Sequence, residues 1–416
     1  MQLELRYHDV QALCFGTPAG LRDGCLTVDA DGLAAELLHD PRIARVDVEL
    51  VGPEEDYRIV SVFDVVQPRY KEEPAGADYP GALGPIRSAG IGVTRVLRNV
   101  ALTVSAAEGG RRFVNLRPPR VHGQPVTAFD RYAGLHHVVV LPKPASGVMG
   151  DDWRNALRMA ALRAGVHLAR SVEGDPVTTE VLQLEAVDAQ LPRVAYVYQL
   201  HSHQSPTVPG EPVLYGDNVR YLLPTILHPN EVIDGGLLPS YGGSVATTYA
   251  MQNNDIVRRL YALHGAQLNF VGVVVYVANQ LPAERDRATL LASNLVKDTL
   301  RADGAVFTKS GGGAPNVDMA LIADRCEQLG VRTALMVWET TAEGETEDSP
   351  LFNLPSLDAI VSLGSSQFRL SFDAAERTIG AAAGDVSAGA ARTVAASQVL
   401  GAIDQLGGSR FTVIRQ

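Results

Sequence analysis

Leu268–Val277, with the sequence LNFVGVVVYV, is the stretch that decides the fold. Its apolar and β-branched residues do not alternate with polar ones, which indicates a strand that is buried on both faces. Helical spacing follows over Ala283–Arg301, and a short apolar strand follows over Gly304–Thr308. Strands and helices that alternate in this way are typical of parallel βαβ units, so the stretch predicts an α/β fold.

The same alternation extends in both directions from this strand. The pattern predicts a helix at Asn316–Leu329 and further strands at Arg193–Leu200, Arg332–Trp338 and Ala359–Leu363. Residues 191–416 are therefore predicted to form an α/β domain with a doubly wound, mostly parallel sheet that carries the candidate site loops. The tract Gly380–Ala396 is rich in Ala and Gly, and we expect it to form a helix of small residues.

Residues 1–190 are predicted to form a β-rich N-terminal domain with one long helix. Apolar and polar residues alternate over Leu3–Tyr7, and Thr94–Val104 is expected to be a single strand. Pro68–Pro85 is rich in Pro and Gly, which argues against regular structure there. The helix is expected over Asp151–Leu168, where apolar residues recur at helical spacing. The change of pattern places the domain boundary at the end of this region.

Composition indicates a globular protein and disfavours several classes of partner. The chain has 416 residues, of which 46% are hydrophobic and 20% are charged, and its formal net charge is −11. An acidic chain without a basic block is a poor ligand for nucleic acid or anionic membranes. Cys14, Cys25 and Cys326 are odd in number and widely spaced, which matches neither a disulfide framework nor a zinc site. With no apolar run long enough to span a membrane, we expect a cytoplasmic protein.

A glycine-rich loop at a predicted strand end is the first candidate binding element. Ser310, Gly311, Gly312 and Gly313 follow a strand and precede a helix. Glycines let backbone N–H groups approach an anion, and a helix N-terminus adds positive potential, so the loop suits a phosphate or carboxylate. It matches neither the Walker nor the dinucleotide-binding pattern. A tight connector without a ligand is the alternative, and the sequence leaves both open.

His201 and His203 follow the predicted strand Arg193–Leu200 and form the second candidate element. If strand geometry continues, both imidazoles point to one face, as a pair of metal ligands would. The sequence identifies no third ligand, so we expect no metal and treat both histidines as candidate groups for contact with a substrate. Polar loop residues without a function are the alternative.

Asp234–Asn254, with the sequence DGGLLPSYGGSVATTYAMQNN, has the density of Gly, Ser, Thr and Asn that a site loop needs. One of its asparagines, Asn253 or Asn254, can cap the helix that follows. Capping explains neither Gln252 nor the preceding run Thr247–Tyr249. We therefore expect these polar residues to belong to a functional site.

Several motifs, taken in order along the chain, resemble one protein family. The resemblance covers most of the chain and rests on Pro68–Lys71, Tyr79–Gly81, Asn155–Leu168, Tyr215–Gly216, Pro229–Gly235, Thr247–Tyr249, Gln252–Asn254, Asn269–Val273 and Gly313–Asp318. These segments are similar to the component B proprotein subunit of glycine, sarcosine and betaine reductases, and more distantly to the proline reductase proprotein.

The resemblance implies a subunit that helps to cleave a C–N bond in a small amine. In the family, an internal cysteine is the point of self-cleavage and becomes a pyruvoyl group, while a partner subunit with a reactive cysteine or selenocysteine attacks the substrate. This sequence has no cysteine between Cys25 and Cys326. We therefore expect an unprocessed chain without a cofactor. Ser244, after Gly243, is the best candidate for a pyruvoyl group derived from serine instead.

Three functional hypotheses follow. The first is a component B-like reductase subunit in a hetero-oligomer, which binds a small polar amine for a partner that carries the thiol or selenol. Its candidate catalytic residues are Ser244, Thr248, Tyr249, His201 and His203. Its candidate substrate-binding residues are Thr247, Gln252, Asn253, Ser310, Gly311, Gly312 and Gly313. The second is a non-catalytic scaffold or substrate-binding subunit, and the third is a serine-derived pyruvoyl enzyme.

Overall fold

The computed structural model of the protein describes residues 1–53, 55–121, 124–125, 131–185, 188–201, 211–240, 246–278, 281–309, 314–339, 356–381, 385–408 and 413–415. Its α-helices are α1 (Ala30–Leu38), α2 (Gly150–Arg170), α3 (Pro229–Ile233), α4 (Thr248–Gln252), α5 (Asp255–Leu263), α6 (Pro282–Asn294) and α7 (Ala314–Gln328). The strands of residues 1–190 are β1 (Gln2–Asp9), β2 (Ala12–Phe15), β3 (Gly20–Arg22), β4 (Cys25–Val28), β5 (Ile43–Val51), β6 (Tyr57–Ile59), β7 (Val62–Val66), β8 (Arg69–Glu73), β9 (Gly92–Arg98), β10 (Val100–Ser105), β11 (Val114–Asn115), β12 (Arg120–Val121), β13 (Gln124–Pro125), β14 (His136–Pro144) and β15 (Thr178–Gln183). Those that follow are β16 (Arg193–Leu200), β17 (Thr225–Leu227), β18 (Asn269–Val277), β19 (Gly304–Lys309), β20 (Arg332–Glu339), β21 (Ala359–Ser365), β22 (Arg369–Phe372), β23 (Arg377–Ile379), β24 (Arg392–Ala395) and β25 (Val413–Arg415).

Two four-stranded sheets dominate the first part of the chain, and α2 packs against both. Their strand orders are β15-β1-β9-β8 and β5-β14-β10-β7. In β1, Leu3 and Leu5 are buried beside more exposed neighbours, as the alternation predicted. The helix α2 contacts β8 and β9 of one sheet and β7 and β10 of the other, and it buries Trp153 and Leu157. The predicted long helix is therefore confirmed.

Two expectations for this part are wrong. Thr94–Val104 forms two strands, β9 and β10, which belong to different sheets. Asn99 between them has a φ of 62°, a left-handed conformation that Asn adopts more readily than most residues, and the chain leaves one sheet for the other at this point. Pro68–Pro85 contains β8, because its prolines flank that strand instead of interrupting it.

A seven-stranded sheet forms the centre of the second part, with strand order β17-β18-β16-β19-β20-β21-β25. The five inner strands are parallel, and the two edge strands are antiparallel to their neighbours. All of Asn269–Val277 is buried except Val271, so the predicted strand is confirmed. The helices α6 and α7 cover one face and α5 the other. The protein is thus a mixed α/β fold.

The inner strands, numbered along the chain, have the order 2-1-3-4-5, which is one of the two common orders of doubly wound sheets. The order reverses between β16 and β19. The doubly wound arrangement itself stays a prediction, because residues 340–355, which lie between β20 and β21, are outside the described residues.

Strands from the last part of the chain pair with strands of residues 1–190. β22 pairs with β12, and β23 pairs with β6. The helix expected over Gly380–Ala396 is wrong: its described residues form a 3₁₀ turn at Val386–Gly389 and the strand β24, which pairs with β22. Pairing with a neighbouring strand outweighs the helix propensity of alanine, and the glycines of this tract weaken a helix further. The boundary near residue 190 stays a prediction.

Candidate functional site

The described residues of the segment Asp234–Asn254 lie in contact with the first part of the fold and directly precede a helix of the second. The helix α4 begins after Thr247, whose hydroxyl accepts a hydrogen bond from the N–H of Ala250. The helix α5 begins after Asn254, whose side chain accepts one from the N–H of Val257. These caps satisfy N–H groups that have no partner within a helix. Because α4 packs on β7 and α5 packs on β18, the position of the segment depends on both parts.

A buried ion pair anchors α4. Asp64 on β7 accepts hydrogen bonds from the N–H of Thr248 at 2.9 Å and from its hydroxyl at 2.6 Å. Arg158 on α2 lies 3.0 Å from the same carboxylate, and the two side chains are 1% and 0% exposed. Arg158 also donates to the carbonyl oxygen of Pro239 at 2.8 Å. Thr248 therefore holds α4 in place from within the protein core.

Gln252 holds the other end of α4 through the backbone of Gln67. Its side-chain oxygen accepts from the backbone N–H of Gln67 at 2.9 Å, and its side-chain NH2 group donates to the backbone carbonyl oxygen of Gln67 at 3.1 Å. The same amide donates to the hydroxyl of Tyr79 at 2.8 Å. The side-chain oxygen of Gln67 accepts from Arg69 and from Asn253. Since Gln252 is buried and forms these bonds, its role in this structure is positional.

A second buried ion pair lies beside Gln252. Lys71 Nζ is 2.5 Å from Asp234 Oδ2, and both side chains are 3% exposed. The hydroxyl of Thr94 and the N–H of Gly90 also donate to this carboxylate. The group borders a cavity of about 20 Å³, which has room for one water molecule. Burial raises the pKa of Asp78, another residue of the cavity wall, to about 6.

Tyr132 links the segment to a buried histidine. Its hydroxyl is 2.5 Å from the hydroxyl of Thr247, and its carbonyl oxygen is 2.9 Å from Nε2 of His137. Because a carbonyl oxygen only accepts, Nε2 carries the proton and Nδ1 accepts from the hydroxyl of Thr103 at 2.8 Å. Burial lowers the pKa of His137 to about 4. The histidine is therefore neutral at physiological pH.

This histidine makes stability depend on pH in a defined window. Its pKa in the unfolded chain is near 6.5, so the unfolded state takes up the proton first as the pH falls. The contribution is complete above about pH 6.5 and is lost progressively down to about pH 4. We expect wild type to lose about 2 kcal/mol more than His137→Gln between about pH 7.5 and about pH 5 in urea unfolding. An equal loss in both proteins would contradict this prediction.

An open cleft of about 610 Å³ lies next to α4, and Tyr249 and Asn253 line it. Its volume falls within the usual range for small-ligand sites. The remaining wall includes Tyr7 from β1, Arg98 from β9 and Arg258 from α5. Thr247, Thr248 and Gln252 lie behind this wall, where their hydrogen bonds fix the helix that presents Tyr249 and Asn253.

The cleft combines positive and negative groups at short range. Glu180 accepts hydrogen bonds from Tyr7 at 2.6 Å and from Arg258 at 2.7 Å. Burial alone would raise the pKa of Glu180, but the charge of Arg258 and these hydrogen bonds outweigh burial and hold that pKa below its ordinary value. Arg98 lies over the ring of Tyr7 at 4.9 Å from its centroid. The cleft wall therefore carries one carboxylate and two guanidinium groups, of which Arg258 is paired with Glu180 and Arg98 with Asp9.

A buried lysine ends a strand of the parallel sheet. Lys309 on β19 is 3% exposed, and burial lowers the pKa of its ammonium group to about 8. Its partner in the register on β16 is Gln199, which in turn is beside Tyr276 on β18. Ligands of such sheets bind outside the carboxyl ends of the strands, where these buried side chains lie. Lys309 directly precedes the predicted anion loop.

The structure brings five of the predicted site residues together: Thr247, Thr248, Tyr249, Gln252 and Asn253. His201 follows the last residue of β16 and is partly buried. The predictions for His203, Ser244 and Ser310–Gly313 fall outside the described residues.

Sequence reasoning missed the charged residues around α4 and the cleft: Asp64, Arg158, Lys71, Asp234, Glu180 and Arg258. No local pattern marks them, because the pairs they form are separated by 78 to 163 positions in the chain. Arg158 lies in a helix whose amphipathic spacing gave no reason to place a charge inside. The one available signal was the family resemblance, because Arg158, Lys71 and Asp234 lie in motifs on which it rests.

The described part of the chain contains neither a cluster of metal-ligating side chains nor a helix that could span a membrane. No group of three or more His, Cys, Asp or Glu side chains within it is arranged to hold a metal ion. No helix within it combines the length and apolar character needed to cross a membrane.

Comparison with known proteins gives matches along almost the whole chain. A family model for glycine/sarcosine/betaine reductase component B subunits matches residues 1–404. The glycine reductase complex component B subunits alpha and beta of Peptoclostridium acidaminophilum are 31% identical over 392 residues, which cover 91% of this chain and 89% of that protein. The sarcosine reductase complex component B subunit alpha of the same organism is 30% identical over 393 residues, with the same coverage. No solved structure gives a significant match.

A third relative extends the comparison to another organism. The glycine reductase complex component B subunits alpha and beta of Acetoanaerobium sticklandii are 29% identical over 398 residues, or 93% of this chain and 90% of that protein. The resemblance inferred from the sequence motifs is thereby confirmed. The chain belongs to the family of glycine/sarcosine/betaine reductase component B subunits.

Proposed function

We propose that this chain is the substrate-binding component B-like subunit of a reductase complex and that it orients a small zwitterionic amine in the cleft beside α4. The observation that carries this proposal is the cleft itself, whose wall holds the Glu180 carboxylate, paired with Arg258, and the Arg98 guanidinium, paired with Asp9. A small amino acid carries an ammonium group and a carboxylate a few bonds apart. Charge complementarity of this kind fixes the orientation of a ligand.

The names of the relatives support this class of substrate. Glycine, sarcosine and betaine are small carboxylates whose nitrogen carries none, one or three methyl groups. Glu180 suits a nitrogen that can donate hydrogen bonds, and the ring of Tyr249 suits a methylated ammonium group. The cleft thus suits the carboxylate and the cationic nitrogen that the three molecules share, and it does not single out one of them.

The reaction that we propose for the complex is displacement at the substrate carbon. A thiolate or selenolate of the partner subunit attacks this carbon, the C–N bond breaks, and the amine leaves with the bonding electrons and takes up a proton. This chain supplies orientation, which lowers the barrier by bringing the reacting atoms into alignment. Tyr249 and Asn253 contact the substrate, while Thr247, Thr248 and Gln252 position α4.

A pyruvoyl group derived from an internal cysteine does not fit this chain. The family forms it from an internal cysteine, and this sequence has no cysteine between Cys25 and Cys326. We therefore propose that the chain remains intact and that the carbonyl chemistry of its relatives is absent from it.

Intact mass of the freshly purified protein tests this part of the proposal. We expect one species at 44.4 kDa that does not change on treatment with a carbonyl-trapping hydrazine. Two fragments, the smaller of which begins at Ser244 and gains a hydrazone, would instead establish a serine-derived pyruvoyl group and overturn the proposal of an unprocessed subunit.

Calorimetric titration with glycine, sarcosine and betaine tests the cleft. We expect at least one of them to bind wild type, and we expect Arg258→Gln to bind it about tenfold or more weakly, because a charge-assisted hydrogen bond is lost. Glu180→Gln tests the ammonium side in the same way. Arg45→Gln is the matched control, since Arg45 is exposed and pairs only with exposed Asp47 among the described contacts.

The complex with the thiol-bearing partner separates the enzyme hypothesis from the scaffold hypothesis. Lower turnover of the Arg258→Gln complex, with unchanged affinity for the partner, supports substrate orientation by this chain. No binding of any of the three amines, together with full turnover of both cleft variants, would favour a scaffold. Gln252→Ala is a poor choice for this test because Gln252 is buried and holds the backbone of Gln67.

A further inference from the structure

Two cysteines of the N-terminal region lie side by side on a small three-stranded sheet, β2-β4-β3. β2 and β4 are parallel, with Ala12 beside Cys25 and Cys14 beside Thr27. Because alternate residues of a strand point to the same face, Cys14 and Cys25 are diagonal neighbours on one face. Their sulfur atoms are 3.2 Å apart. Sequence spacing alone did not pair them.

The two thiols differ in environment. Cys14 is exposed and Cys25 is partly buried. Hydrogen bonds with the hydroxyl of Thr27 and the thiol of Cys25 lower the pKa of Cys14, whereas donation to Cys14 raises the pKa of Cys25. Thiolate character and access both favour reaction at Cys14. This asymmetry is typical of a pair with one attacking and one resolving thiol.

The third cysteine provides an internal reference. Cys326 on α7 is fully buried, and burial raises its pKa to about 12. A buried thiol in apolar surroundings is unreactive. Any redox chemistry of the native chain should therefore be confined to Cys14 and Cys25.

We propose that Cys14 and Cys25 form a redox-active dithiol that reduces a disulfide and is converted to an intramolecular disulfide. This inference does not depend on the proposed function of the cleft. The sulfur atoms of a disulfide bond are about 2.05 Å apart, so the two sulfur atoms have to approach each other by only about 1 Å. The neighbouring strands already place the two side chains for closure.

The exchange balances in atoms and electrons. The Cys14 thiolate attacks one sulfur of the incoming disulfide, whose S–S bond breaks and releases the first thiol after protonation. The Cys25 sulfur then attacks Cys14 Sγ in the mixed disulfide and releases the second thiol. The two protons of Cys14 and Cys25 end on the released thiols. Two electrons pass from the cysteine pair to the incoming disulfide.

Thiol counting in glutathione redox buffers tests the proposal on the full chain. We expect native wild type to lose two alkylatable thiols together as the buffer becomes more oxidising, with a mass loss of two hydrogen atoms and no adduct. Cys25→Ser should accumulate one glutathione adduct at Cys14, because the resolving thiol is missing. Cys14→Ser should form adducts about tenfold or more slowly, since the exposed thiol is gone. Cys326→Ser should behave as wild type.

The same assay with an oxidised CxxC protein in place of glutathione disulfide identifies the source of the disulfide. Faster closure with the protein assigns a protein partner, and faster closure with glutathione assigns a small-molecule source. Retention of both thiols under all conditions, or stable adducts on wild type without ring closure, would overturn the proposal. Circular dichroism of each variant checks that it is folded.

Discussion

Asp64→Asn should lower the free energy of unfolding by about 3–5 kcal/mol, because it leaves the buried Arg158 guanidinium without its main counter-ion. Asp64 and Arg158 are 0% and 1% exposed, so water does not replace the lost carboxylate charge. Glu211 lies 3.4 Å from Arg158 and offsets part of the loss. The asparagine side chain retains an oxygen for the N–H of Thr248, but its NH2 group cannot accept from the Thr248 hydroxyl or from Arg158, so the loss includes these hydrogen bonds as well as the charge. Equilibrium unfolding in urea measures the effect.

Two further variants separate charge from packing. Arg45→Gln breaks a pair whose side chains are 71% and 41% exposed, and it should change stability by less than about 1 kcal/mol. The double variant Asp64→Leu with Arg158→Met removes both charges and should recover the part of the loss that comes from the unpaired guanidinium, but not the part that comes from the Thr248 and Pro239 groups that lose their hydrogen-bond partners. If Asp64→Asn unfolds at the wild-type urea concentration, the ion pair does not anchor α4.

The cleft should respond to the same substitution. Asp64 bonds both the N–H and the hydroxyl of Thr248, the first residue of α4. Tyr249 and Asn253 on that helix line the cleft. Under the proposed function, we expect Asp64→Asn to weaken amine binding although its side chain touches no substrate. This distinguishes a positioning residue from one that contacts the ligand.

The parallel sheet could be predicted from the sequence because its strands are buried on both faces. A run such as Asn269–Val277 has no polar interruption, and its signal is therefore local and strong. Thr94–Val104 was harder, because a single left-handed residue, Asn99, divides an apolar run into strands of two sheets. Hydrophobic periodicity does not reveal that one residue turns the chain from one sheet into another.

The candidate site stays a prediction, although the structure places five of its residues on or beside the helix α4. The cluster of polar residues in Asp234–Asn254 does come together, but three of them bond the protein interior. A buried polar side chain and a ligand-binding one have the same residue types in a sequence, and only their partners distinguish them. Those partners, such as Asp64 and Gln67, lie more than 180 positions away.

Gly81→Ala should destabilise the protein by about 3–5 kcal/mol, because a methyl group at this position collides with backbone. A Cβ on Gly81 would lie 1.9 Å from the carbonyl oxygen of Tyr215, and a Cβ on Gly216 would lie 2.2 Å from the carbonyl oxygen of Gly81. Two backbone segments thus meet at their glycines. Both belong to the motifs Tyr79–Gly81 and Tyr215–Gly216, and this contact is a physical reason for glycine in each.

Gly147→Ala is the matched control for this prediction. Gly81 and Gly147 have the same φ of 83°, but a Cβ on Gly147 would meet nothing within 4 Å. The cost of a left-handed alanine, about 1–2 kcal/mol, is therefore common to both variants, and the difference between them measures the backbone collision. The loop of Gly81 also carries Tyr79, whose hydroxyl accepts from Gln252, so the larger loss should extend to the cleft. Equal urea midpoints for the two variants would show that the loop moves aside and that the contact between Gly81 and Tyr215 is not required for folding.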